Sequence, residues 1–154
     1  MLSKDELRQR RTDFWSGFKS YMRAHRSSNG RKMNWLNYPT DLKDIYLRLD
    51  TDSKGVRVCL DIQSKDPGIR AVIWEQMGEL KKVLTDAMGD PGEWLEDYHN
   101  SELMLINRIQ WERKDLNFFN EADHPEIYAF LEKHLLGFDE FYQNFKDVLV
   151  HLVK

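Results

Sequence analysis

The sequence holds a single cysteine, Cys59, in 154 residues, so no internal disulfide can form and a hydrophobic core has to hold the fold. Spacings of Cys and His that suit a zinc site are missing as well. No apolar run approaches the roughly 20 residues needed to cross a bilayer. The opening residues Met1 to Glu6 are charged and lack the apolar stretch of a secretory signal. The expectation is a soluble, cytoplasmic protein with no membrane partner. Motifs of the Gly-x-Ser-x-Gly, His-Glu-x-x-His and phosphate-loop kinds are absent, which removes the main signals for hydrolase and nucleotide chemistry. No cofactor and no metal is expected, and no internal repeat or low-complexity tract stands out.

What is present suits a globular chain: 41% of residues are apolar and 32% charged, enough to build a core without staples. One domain over residues 1–154 is expected. Its organising stretch runs from Ile45 to Gln63. Ile45, Leu47 and Leu49 alternate with polar residues, as do Val56, Val58, Leu60 and Ile62 after a turn-rich Asp50-Thr51-Asp52-Ser53-Lys54-Gly55. Period-two alternation on both sides of such a turn predicts an antiparallel hairpin. Cys59 reads as a small hydrophobe on its second strand.

Ser3 and Glu6 form a capping-box pattern that predicts a helix ending near Arg26, before the breaker run Ser27-Ser28-Asn29-Gly30. Met33 to Tyr38 reads either as a short edge strand or as an ordered loop anchored by Trp35 and Tyr38. Asp66-Pro67 starts a second helix that should run to Gly89. A second hairpin is predicted from Glu93–Tyr98 and Leu103–Glu112, its second arm a central strand with apolar residues on both faces near Leu105. Asp123-His124-Pro125 opens a last helix reaching nearly to the end, with Gly137 a kink or break. The order α-(β)-β-β-α-β-β-α predicts an α+β fold, three main helices on a largely antiparallel sheet of four to five strands.

Three readings of function follow. Charge is unevenly distributed: residues 1–32 carry nine Lys and Arg against three acids, a net +6, whereas the remainder carries −9 and the whole −3. The first is therefore a non-enzymatic binding module, with Arg8, Arg11, Lys19, Arg23 and Arg26 on the first helix meeting phosphates, and a nucleic acid or another protein as weak partner. The plain alternative is a solvated helix face beside an acidic body. The second is a Mg²⁺-dependent nuclease of the PD-(D/E)XK type, divergent or degenerate, built on Asp50, Asp61 and Gln63 of the hairpin. Gln63 stands where such a site wants lysine. The third is an oligomerisation module. The last helix carries more apolar residues than one sheet face needs, so Tyr128, Leu136, Tyr142 and Val150 would form a homodimer interface, unless the first helix or the 117–123 connector covers them.

Arg10 to Phe18, the strand Val56 to Ile62, and Asn107 to Ile109 resemble an uncharacterised bacterial and archaeal family, one of the domains of unknown function. The resemblance covers nearly the whole chain. It implies a compact α+β module found alone or C-terminal to restriction-nuclease-like domains. The family has no established activity, so it transfers no catalytic residue.

Overall fold

In the computed structural model, which describes residues 2–153, the capping box is formed: Ser3 Oγ accepts from the Glu6 amide at 3.1 Å. It opens α1 (Lys4–Met22). The hairpin is β1 (Ile45–Asp52) and β2 (Gly55–Ile62). Asp66 caps α2 (Pro67–Glu79), its Oδ1 accepting from the Gly68 and Ile69 amides. α3 (Lys81–Met88) follows, then β3 (Glu93–His99) and β4 (Leu105–Arg113). A single 3₁₀ turn at Glu121–Asp123 leads into α4 (His124–Val153).

The four strands pair antiparallel throughout, in the order β1-β2-β4-β3. One sheet face carries Ile45, Leu47, Val56, Val58, Leu60, Ile62, Ile109 and Trp111, all buried in one core with side chains of the four helices. That alternation is what an antiparallel sheet covered on one side requires. The other face carries Arg48, Asp50, Arg57, Cys59, Asp61, Arg108, Gln110 and Glu112. The α+β class and the antiparallel sheet are as the sequence predicts.

Several boundaries differ from the reading of the sequence. Of the two readings of Met33 to Tyr38 the ordered loop holds and the edge strand does not, with Trp35 and Tyr38 buried as its anchors. α1 stops at Met22, four residues short of Arg26. The helix expected from Asp66 to Gly89 breaks at Leu80. The break is silent in the hydrophobic pattern because the buried Ile73, Met77, Leu84 and Met88 keep helical spacing across it. Leu103 lies outside β4, in the left-handed region (φ 61°) and 82% exposed. There the Asn100 side chain accepts from the Glu102 and Met104 amides and closes the turn. β4 is the central strand expected, with Ile106 and Ile109 buried on opposite faces.

α4 runs unbroken through Gly137. The glycine lets α3 approach: a Cβ there would stand 2.6 Å from the Ala87 carbonyl oxygen.

Candidate anion-binding groove

The carboxylates of the hairpin do not meet. Asp50 lies across from Arg57 and Asp61 across from Tyr46, four register steps apart, or roughly 13 Å along the strands. Each is occupied by arginine. Asp61, 0% exposed, accepts from Arg108 at 2.7 and 2.9 Å and faces Arg48 Nε at 3.3 Å. Asp50 shares Arg57 with Asp52 and Glu112. Gln63 accepts from Arg48 and turns its amide nitrogen to the Met104 sulfur. The structure thus does not bring Asp50, Asp61 and Gln63 into one cleft.

Burial alone would pull the Arg57 and Arg108 pKa values down, yet their hydrogen-bonded carboxylates outweigh it and hold both above the ordinary value. Cys59, beside this network, has its thiol pushed up to about 12, chiefly by burial. It is a poor nucleophile at neutral pH.

The basic residues of the N-terminal arm divide into two sets. Arg8 pairs with Asp5 at 3.7 Å on the exposed side of α1. Arg11 is a structural tie: it donates to the Thr51 carbonyl at 2.9 Å, and its guanidinium lies 4.5 Å from the centre of the Phe118 ring. Lys19, Arg23 and Arg26, by contrast, come together around a groove of about 600 Å³, where Lys32 joins them. All four are exposed. Among the described residues none of them has a carboxylate within 4 Å.

Lys19 and Arg23 stand at the C-terminal end of α1, where the helix dipole favours cations. Arg26 and Lys32 lie beyond the helix, so the dipole does not account for them.

The wall opposite α1 is the loop that follows it, fixed from below. Asp139 of α4, buried at 2% exposure, accepts from Ser27 Oγ (2.9 Å), the Ser28 amide (2.7 Å) and the Tyr38 hydroxyl (2.7 Å). Burial, and then the Asp139 carboxylate, hold the Tyr38 hydroxyl far above its ordinary pKa. Trp35 Nε1 donates to the His25 carbonyl at 3.2 Å. The His25 ring meets Glu132 at 2.7 Å, and Glu132 also accepts from Tyr21. Two groups of the groove carry little signal in the sequence. Lys32 shows there only as part of the basic N-terminal charge, and Asp139 offers one signal, a carboxylate between Leu135, Phe138 and Tyr142 on a buried stripe.

The residues assigned to a dimer interface are mostly covered within the chain. Tyr142 is 1% exposed and donates to the Thr40 carbonyl at 2.6 Å. Tyr128 donates to the Phe14 carbonyl at 2.6 Å, its ring set among Phe14, Phe18 and Tyr21. Leu136 and Val150 are half-buried against the core. α1 and the segment leading to β1 therefore take up much of the apolar surface that motivated a homodimer.

A second cavity, of about 450 Å³, is bordered by Asp90, Arg113, Glu126, Lys133 and His134. His134 Nδ1 lies 2.8 Å from the Phe130 carbonyl, an acceptor only, so Nδ1 carries the proton. Nε2 is buried and has no hydrogen-bond partner among the described residues. Burial, the largest cause, holds the His134 pKa below 6.5, and Lys133 adds to it.

A proton lost on folding makes stability depend on pH. Below about pH 6.5 the unfolded chain takes up a proton that the folded ring resists, so stability falls with acidification until the folded pKa is passed. Urea unfolding of the native chain and of His134→Leu should diverge in slope below pH 6.5, only the native chain showing this loss. Parallel profiles would mean that the ring accepts its proton without cost.

Among the described residues no helix is long and apolar enough to cross a membrane. Comparison with curated proteins and with solved structures found no match. A family model, described as Domain of unknown function (DUF4268), matches residues 10–146. That span takes in α1 from its second turn, the whole sheet, and most of α4, so the chain belongs to this family of domains of unknown function.

Proposed function

We propose that this chain is a non-enzymatic binding module whose basic groove holds the phosphates of a nucleic acid. One observation carries the reading: Lys19, Arg23, Arg26 and Lys32 ring a single groove without a carboxylate to neutralise them among the described residues. Neighbouring cations that lack acidic partners repel one another, and a polyanion relieves that repulsion while releasing its own counterions. An association with restriction-nuclease-like domains, implied by the family resemblance, belongs to the same proposal. Arginines pair with both hairpin carboxylates, which favours the binding reading over a metal site there.

The test is fluorescence anisotropy with a labelled oligonucleotide over a salt series. Affinity should fall linearly with log salt concentration. Combined Lys19→Glu, Arg23→Glu and Arg26→Glu should abolish binding, whereas Arg8→Glu should change it little. Absence of binding at low ionic strength, or binding that survives the triple reversal, overturns the phosphate reading. Mg²⁺-dependent cutting of nucleic acid that is lost in Asp50→Asn overturns the non-enzymatic one.

A further inference from the structure

We infer that the groove takes a single strand of nucleic acid and discriminates against the duplex; this rests on the phosphate reading above. The cations lie around a concavity of about 600 Å³, not along a ridge. A cavity of that size encloses a ligand of nucleotide dimensions. A duplex is a stiff rod with a persistence length of about 50 nm and does not bend into such a concavity. A single strand bends into the concavity one nucleotide at a time.

The lining supplies the second argument. Met33 and Leu36 are half-buried and apolar, and they border the same space as Lys32 and Arg26. In a duplex the base faces are stacked on one another and offer nothing to such residues, whereas an unpaired base presents its whole face. Trp35 is not the platform. Its ring is buried and its N–H is committed to the His25 carbonyl. Contact with bases is therefore aliphatic and indifferent to sequence.

The loop is also set before any ligand arrives. The Ser27 and Ser28 bonds to Asp139, with a Gly30 amide bond back to the Ser27 carbonyl at 2.8 Å, fix its turn. A preformed groove lowers the ordering cost of binding.

The experiment compares a labelled 12-nucleotide strand, the duplex of the same sequence, and a nucleoside monophosphate as competitor, all on the full chain. The strand should bind several-fold tighter than the duplex, the weight of burying Met33 and Leu36 under an unpaired base. Four phosphate contacts on a single strand predict a slope near −2.8 in log affinity against log salt, at about 0.7 per contact. Lys32→Glu should weaken the strand most and flatten that slope. Met33→Ser, checked for folding by its thermal melt, should weaken the strand several-fold and leave the duplex unchanged. Duplex binding equal to or tighter than the strand, with the same dependence on Lys19, Arg23, Arg26 and Lys32, overturns this inference and leaves the phosphate reading intact. A monophosphate that competes as well as the strand also overturns it, in favour of a free-nucleotide site. Loss of all cation-dependent binding removes both.

Discussion

Replacing Asp61 with alanine is expected to lower the unfolding free energy by about 3–5 kcal/mol, the usual cost of removing one partner from a buried ion pair. Asp61 is wholly buried on β2 and receives two hydrogen bonds from Arg108 of β4, itself mostly covered. Without the carboxylate, the Arg108 guanidinium stays in a dry setting with two donors unpaired. Arg48 loses less, being half exposed and free to turn to water. Chemical denaturation should show a lower midpoint at unchanged slope. Asp50→Ala is the control: that side chain is 60% exposed, and Arg57 keeps Asp52 and Glu112, so the loss should stay under about 1 kcal/mol. Equal losses at the two positions would mean that the burial of Asp61 is not what sets its contribution.

The contrast between Asp50 and Asp61 also marks how far the sequence can be read. As residues of a predicted hairpin they look alike, and both read as metal ligands. What separates them is Arg108, 47 residues beyond Asp61 in the chain and brought alongside only when β4 pairs with β2. Features set within one turn or one strand were legible: the capping box at Ser3, the cap at Asp66, the period-two hairpin. The break at Leu80 was not, because the apolar rhythm runs through it without interruption.

The groove shows the same limit. Lys19, Arg23 and Arg26 were readable as basic helix residues, but their separation from Arg8 and Arg11 was not. Arg11 is withdrawn by Phe118 and Thr51, which come from two distant segments. Lys32 reaches the groove because the loop folds back on α1, an outcome fixed by α4 more than 100 residues later.

That dependence makes Asp139→Ala the variant that joins fold to function. The carboxylate accepts from Ser27, Ser28 and Tyr38, and Gln143 lies beside it. Hydrogen bonds to a charged acceptor contribute about 1.5–3 kcal/mol each, and donors left buried without a partner cost a similar amount. The three bonds form one network and do not add independently, so a total loss of about 3–5 kcal/mol is expected. Asp139→Asn should cost less, since one side-chain oxygen still accepts while the new amide faces donors. The functional consequence separates this network from an ordinary core contact. None of the four groove cations is altered, yet oligonucleotide affinity should drop by about tenfold or more, because the loop that positions Arg26 and Lys32 must now be ordered at the cost of binding energy. Hydrogen exchange should show faster opening of amides between residues 24 and 38, with the β2 and β4 amides protected as before. Full affinity in a destabilised Asp139→Ala chain would mean that the groove keeps its shape without the anchor, and the link from α4 to the groove would be broken.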